Sequence, residues 1–481
     1  MKQRLVTPEN KEWWTLAAVS VGLFVIMLDN TVVNVALPSM RQSLHMTLSE
    51  LEWVVAGYAL TFAAFMLTGG KLADYLGRRL VFMAGLAVFT GASLACGLAP
   101  NGGFLIGARV VQGLGGALMN PATLSIITAT FPPRERGKAI GIWAGVSAMA
   151  LAIGPLVGGL LTEHVNWNWI FFINVPIGVA GLFFIPVFVD ESRDTSHEQR
   201  LDLPGLVTSA VGLFALTYAF IEANGYGWTS GRIVVAFAVA AVSLVAFVLL
   251  ERHQRIPMLD LSLFRNRTFG GANGAMLFVG LAMFGTFFYV SLYVQNVLGW
   301  SPVQAGASFL PMTFLIIALA PRTGALADRL GSRWLVGGGM VLLAVMLFYY
   351  GFLGADSGFW ALLPALVIGG IGMAMTMTPT TAAAMSAVAV DKAGVGSAVL
   401  NSARQVGGSL GIAVMGAIVA STSASSLRQG DTRQIAFLHG FHDALRVGSL
   451  LLLVGAVIAV VAIRKIEHAH HHEPSTLAEP A

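Results

Sequence analysis

Charge is what this sequence has least of. Only 11% of its 481 residues are Asp, Glu, Lys or Arg, against about a quarter in a soluble domain. The shortfall is not local, because apolar runs recur from one end of the chain to the other. A single soluble core does not absorb that much apolar surface, whereas a bilayer does. Cysteine is nearly absent: the lone Cys96 excludes a disulfide framework and any cysteine-based metal site. It reads as a small hydrophobe inside a helix. No phosphate-loop motif is present, which disfavours an ATP-driven pump. No intramembrane histidine cluster, nucleophile–base set or paired metal carboxylates point to an enzyme, and no soluble domain points to a sensor. The net charge of +4 is spread over many short loops, so no nucleic acid is expected as a partner.

What is present is span-length hydrophobicity. A membrane helix needs about 20 apolar residues. Fourteen stretches qualify: 14–38, 52–72, 80–98, 104–129, 138–163, 168–189, 205–223, 232–251, 269–296, 303–321, 334–353, 359–381, 396–420 and 444–463. The first, from Trp14, lacks a cleavage site and reads as a true span rather than a signal peptide. With the N-terminus inside, 21 of the 28 basic residues fall in cytoplasmic segments, as the positive-inside rule requires. Arg109 and Arg404 lie within spans. The tryptophans fall near span ends, at headgroup level, and the 55 glycines suit close helix packing. Three segments read as irregular: the charged loop Asp190–Asp202, a polar outer loop Ser421–His442, and a histidine-rich tail read as solvated rather than metal-binding.

An internal repeat organises the spans. Gly70-Lys-Leu-Ala-Asp-Tyr-Leu-Gly-Arg-Arg79 and Gly324-Ala-Leu-Ala-Asp-Arg-Leu-Gly-Ser-Arg333 share seven of ten positions. Each follows the second helix of a six-helix set, and both face the cytoplasm. The reading is an all-α integral membrane protein with an N-terminal half (1–190) and a C-terminal half (268–465) in parallel repeat. Two inserted helices with their linkers occupy 191–267, and a cytoplasmic tail occupies 466–481.

Four motifs carry a resemblance to the major facilitator superfamily, and within it to the fourteen-helix drug:proton antiporters. Gly70–Arg79 resembles the superfamily's loop motif between helices 2 and 3. Leu105-Ile-Gly-Ala-Arg-Val-Val-Gln-Gly-Leu-Gly-Gly116 resembles its helix 4 motif. Gly145-Val-Ser-Ala-Met-Ala-Leu-Ala-Ile-Gly-Pro-Leu-Val-Gly-Gly159 is similar to the antiporter motif of helix 5. Leu28-Asp-Asn-Thr-Val-Val-Asn-Val-Ala-Leu-Pro38 resembles the helix 1 signature of the fourteen-helix family. The resemblance implies a multi-pass transporter of the inner (plasma) membrane, with both termini cytoplasmic. It implies export of amphipathic compounds by proton antiport and alternating access, with a dedicated exporter of a host metabolite, lipid or siderophore as the alternative. The partners expected are bilayer lipid, a small amphipathic substrate and protons. No cofactor is expected, and the functional unit is read as a monomer.

The candidate residues follow from physical chemistry. Asp29 lies about 15 residues into helix 1, where an ionised carboxylate costs several kcal/mol and must be paired, hydrated or protonated. Arg109 enters helix 4 at a similar depth, so the two are candidate partners in proton coupling; Glu222, near the outer end of helix 7, is a weaker one. Gly70 suits close helix approach, Gly77 a sharp turn, and Asp74 stands one turn before Arg78. The resemblance makes these a conformational latch, with Asp328 and Arg333 as its weaker second copy. Gly145, Gly154, Gly158 and Gly159 recur at small-residue spacing around Pro155, suiting a tight seal. Polar edges for a substrate cavity come from Asn30 and Asn34 on helix 1, Gln112 on helix 4, and Tyr289, Tyr293 and Gln295 on helix 9. Asn401, Arg404 and Gln405 add to them on helix 13. Arg404 has two readings, pairing with an N-half acid in one state or binding backbone carbonyls permanently.

Overall fold

The computed structural model describes residues 10–193, 201–254, 257–388 and 393–464, without the side chains of residues 133, 148, 152, 328 and 393. Residues 1–9, 194–200, 255–256, 389–392 and 465–481 lie outside it, so the tail histidines and most of the loop expected at Asp190–Asp202 do too. Among the described residues, fourteen helices are long and apolar enough to cross a membrane. No other structure is open to a lone segment in hydrocarbon, because each helix satisfies its own backbone donors and acceptors.

In chain order they are α1 (Lys11–Leu44), α2 (Leu48–Leu76), α3 (Arg78–Gly97), α4 (Gly102–Thr130), α5 (Pro133–His164) and α6, broken into Trp169–Phe172 and Asn174–Phe188. The inserted pair is α7 (Leu203–Tyr226) and α8 (Gly231–His253). The second set is α9 (Arg267–Leu292, continued by a π-helical turn Tyr293–Val297), α10 (Pro302–Ser308 then Leu310–Leu330), α11 (Ser332–Tyr350), α12 (Phe359–Ser386), α13 (Ala393–Arg428) and α14 (Arg433–Ala462).

The repeat is visible in the packing. Helix pairs α1·α5, α2·α4, α3·α4, α3·α6 and α1·α6 recur eight helices later as α9·α13, α10·α12, α11·α12, α11·α14 and α9·α14. Glycines set the closest of these approaches. A methyl group added at Gly85 would meet the Gly115 carbonyl 2.8 Å away, and one added at Gly339 would meet the Gly372 carbonyl at the same distance. Without a hydrophobic driving force inside lipid, such backbone-close packing is what holds helices together. The halves meet through α2·α13 and α5·α10, which are each other's counterparts under the repeat. Helix α8 packs on α7 and leaves Val234, Val235, Val242 and Val245 exposed, a lipid-facing stripe.

One expected loop is mostly helix. Ser421–His442 reads as loop from its polarity, yet α13 runs to Arg428 and α14 starts at Arg433, with Thr432 capping the Ile435 amide. The polar side chains lie on a hairpin: Ser423 donates to the Ala436 carbonyl, Gln434 to the Val297 carbonyl, and Gly440 abuts the Val419 carbonyl. Helices that continue past the hydrocarbon carry no apolar signal there, so an apolar window misses them.

Candidate functional site

The ends of the bundle differ chemically. The basic end carries Lys71, Arg78, Arg79, Arg322, Arg329 and Arg333; the far end carries the α1–α2, α3–α4 and α9–α10 turns. Between them, Asp29 on α1 is fully buried and Arg109 on α4 is 1% exposed. Arg109 Nη1 donates to Asp29 Oδ2 at 2.5 Å and to Gln112 Oε1 at 2.6 Å, while its Nε donates to the Val54 carbonyl at 3.1 Å. The guanidinium lies 4.2 Å from the Tyr58 ring centroid and 5.7 Å from that of Phe171. Gln112 Nε2 donates to Asp29 Oδ1 at 2.9 Å and to Ser93 Oγ at 2.8 Å, and Asn174 Nδ2 reaches Asp29 Oδ1 at 3.3 Å. The carboxylate thus has a cation and two amide donors. That satisfaction is what makes a buried ion pair tolerable, and removing one partner costs about 3–5 kcal/mol.

Helices α1, α2, α3, α4 and α6 supply the whole cluster, so it sits inside the N-terminal half rather than at the junction of the halves. Gln112, expected at a substrate cavity, is instead a member of this cluster. Asn30 and Asn34 bond their own helix, at the Ile26 and Asn30 carbonyls. Ser93, Asn174 and Tyr58 were not legible as partners; a lone polar residue inside an apolar span was the available signal.

The junction is tightest at the far end. An added methyl at Gly159 would strike the Pro302 carbonyl of α10, and one at Gly306 would strike the Pro155 carbonyl of α5. Gly154 packs on Thr31 and Gly158 on Val32, tying α5 to α1. Ser291 donates to the Asn34 carbonyl at 2.7 Å and Gln295 to the Val35 carbonyl at 3.0 Å, tying α9 to α1. The Val303 amide donates across the halves to Glu163 at 2.8 Å. Toward the basic end this contact stops: Gly137, Gly141 and Gly145 have nothing within 4 Å of an added methyl. Gly145 therefore does not join Gly154, Gly158 and Gly159 in the seal. Pro155 lends its carbonyl to the approach.

Other expected groups disperse. Glu222 accepts from Trp53 Nε1 at 3.3 Å at the far end, away from Asp29. Tyr293 is stacked on Phe441 and donates to the Gly354 carbonyl, and with Gln295 it lies in far-end packing rather than in a central cavity. Asn401 bonds its own helix at Ser397. Arg404 is half-buried, pairs with no carboxylate among the described residues, and has an unbonded Nε; Gln405 is buried with an unbonded Oε1.

At the basic end Asp74 accepts from Arg78 at 3.0 Å, and Arg78 also reaches the Ser125 carbonyl. The Asp74 carboxylate bonds nothing in the C-terminal half among the described residues. Glu191 instead caps α3 through the Arg79 and Leu80 amides. Gly77 has φ +125°, which a side chain rarely adopts. Gly69, not Gly70, makes the close approach, against the Ala117 carbonyl. In the second copy Gly331 repeats the turn at φ +86°. There Arg333 lies over Trp334, and the Asp328 side chain is outside the described residues.

A buried acid missed in the sequence is Glu52, 3% exposed on α2, which accepts the Tyr289 hydroxyl of α9 at 2.7 Å. It stood at the edge of the expected span. The capping box Thr47-Leu-Ser-Glu50 starts α2 at Leu48 and carries Glu52 a turn inside.

Residues 19–412 match the model of the Major Facilitator Superfamily. The chain is 38% identical to the tetracenomycin C resistance and export protein of Streptomyces glaucescens, over 85% of this chain and 76% of that one. It is 36% identical to a puromycin resistance protein of Streptomyces alboniger, over 98% and 96%. With the multidrug resistance protein Stp of Mycobacterium tuberculosis identity is 37%, over 86% and 77%. Among solved structures it resembles a bacterial homolog of the human lysosomal transporter Spinster, with TM-score 0.70, 16% identity and coverage of 96% and 100%. The motifs, the repeated packing and these matches agree: the chain is a multi-pass membrane transporter, not an enzyme, and belongs to the major facilitator superfamily.

Proposed function

We propose that this protein exports amphipathic compounds across the inner membrane in exchange for protons, its basic end and both termini facing the cytoplasm. The observation that carries the reading is the buried Asp29–Arg109 pair, an ionisable site within the span whose parts have alternative partners. When a proton neutralises Asp29, Arg109 keeps the Val54 carbonyl, Gln112 Oε1 and the Tyr58 face. Release of the pair acts on α1, and α1 carries Thr31 and Val32 against the Gly154 and Gly158 positions of α5. The proton is thereby linked to the far-end seal. Contact at the far end with open glycines toward the basic end corresponds to an inward-facing state, in which Asp74 has no cross-half partner. One charge crossing about 150 mV supplies roughly 3.5 kcal/mol, enough for a gradient of a few hundredfold. One proton per substrate therefore suffices.

The test uses inverted vesicles carrying the protein or its Asp29→Asn variant, energised, with proton release recorded as lipophilic cations, neutral drugs and fatty acids are added. The expected result is a substrate-triggered proton flux that Asp29→Asn abolishes; flux surviving the substitution removes Asp29 as the coupling site. A second reading, a dedicated exporter of one compound, is favoured by relatives named for single antibiotics, tetracenomycin C and puromycin. Response to a single chemotype in the same assay selects it.

A further inference from the structure

Glu52 plays no part in the antiport scheme, yet it is the acid most fully enclosed where the halves meet. It projects from α2 of the N-terminal half, accepts the Tyr289 hydroxyl from α9 of the other half, and lies against Gly416 of α13. A methyl group added at Gly416 would fall on both carboxylate oxygens, so this glycine is the space the carboxyl occupies.

No cation among the described residues answers it. On α1 and α4, Asp29 and Arg109 face each other. Helix α7 brings Glu222, a second acid held by Trp53, and Tyr218; Arg232 of α8 lies over the Tyr218 and Tyr226 rings. Helix α9 brings Tyr289, and the α13 cations Arg404 and Arg428 lie about three turns away on either side. One tyrosine hydroxyl does not replace the hydration of a carboxylate, and a buried charge without a counter-charge costs several kcal/mol. The closed far end therefore suits the neutral acid and the parted far end the ion.

We propose that Glu52 is a second proton site, which gates rather than drives: it binds a proton as the halves close over it and returns it to the same side when they part. The step is one proton from far-side water onto a carboxylate oxygen, with no other bond changed. The α2–α13 contact, where Ser409 and Ser402 reach the Ala56 and Ala63 carbonyls, lies between Glu52 and the basic end. This proton is accordingly not carried across. The proposal rests on the alternating-access reading but not on antiport, and its test needs neither substrate nor gradient.

Leu98 and Phe352, equivalent in the repeat and both exposed at the far end, are replaced by spin-labelled cysteines in an Asp29→Asn background; Cys96, buried, stays unlabelled. Interspin distances are measured in nanodiscs from pH 5 to 9. The closed-to-open ratio is expected to fall as pH rises, by up to about tenfold per pH unit, and to become pH-independent with Glu52→Gln. A flat titration with Glu52 intact, or an unchanged slope in Glu52→Gln, overturns the proposal. Should Glu52→Gln fail to fold, Tyr289→Phe is expected to move the midpoint and keep the slope, and an unmoved midpoint overturns it. Glu222→Gln is expected to keep the slope; its loss there assigns the proton to Glu222 instead. Failure of proton coupling in the vesicle assay leaves this titration standing, so the two readings fail separately.

Discussion

Asp29 shows how far a residue can be understood before its neighbours are known. Its depth in an apolar run marks it as paired or protonated, and Arg109 is the partner the chain offers at that depth. Its direction was not legible, because the rotation of α1 against α3, α4 and α6 is set by packing that no single helix contains. The pairing predicts an asymmetry. Arg109→Gln leaves a buried carboxylate without a counter-charge, at a cost of about 3–5 kcal/mol, whereas the double variant Asp29→Asn/Arg109→Gln leaves amides that bond each other. Thermal unfolding in detergent is expected to show the double variant melting above the Arg109→Gln single variant. The opposite order would show that the two side chains are not coupled.

At the scale of the element, helix existence was legible throughout and helix ends were not. The capping box that starts α2 at Leu48 lies outside any apolar window, and missing it hid Glu52. Thr47→Ala is expected to cost about 1 kcal/mol and to raise amide exchange over the first turn of α2. The glycine seal is stiffer. Gly159→Val places a side chain on the Pro302 backbone, which has no flexible end to yield, so α5 and α10 must part at the far end. The Leu98–Phe352 distance is then expected to lengthen at every pH. An unchanged distance would place the seal elsewhere. The inserted helices are docked by Asp202, which precedes α7. Burial opposes its charge, but the Gly205 and Met258 amides and Gln254 outweigh it and hold its carboxyl below the usual 3.8. This contribution is complete above pH 3.8 and is lost as pH falls through the lower folded value. Asp202→Ala is therefore expected to raise amide exchange at Gly205 and Met258, the two amides its carboxylate holds.

Across the whole molecule, the count of fourteen helices and the repeat were legible because a bilayer turns hydropathy and loop charge into topology. The conformational state was not, since which glycines are covered is set by packing between the halves and not by the pattern of any one helix. Gly145→Cys tests the state directly. With Cys96 buried and silent, a membrane-impermeant maleimide is expected to label position 145 from the basic end in inverted vesicles, while Gly158→Cys, packed on Val32, stays unlabelled. Equal labelling of both positions would contradict the inward-facing reading.

The inserted α7–α8 pair grips both halves along one line. At the far end Trp53 of α2 bonds Glu222, and Asn224 bonds the Ala417 carbonyl of α13; at the basic end Lys71 of α2 bonds the Pro257 carbonyl after α8. On the alternating-access reading, α2 and α13, joined where Ser409 and Ser402 reach the Ala56 and Ala63 carbonyls, form the axle about which the two lever arms swing while α9 parts from α2 at Glu52, and the hairpin is mounted on that axle. Its Gly227–Ser230 turn is then among the slowest-moving points of the molecule. A fused domain or binding protein clamped there exerts little torque on either arm. It becomes a handle by which the transporter can be held and imaged without choosing its state.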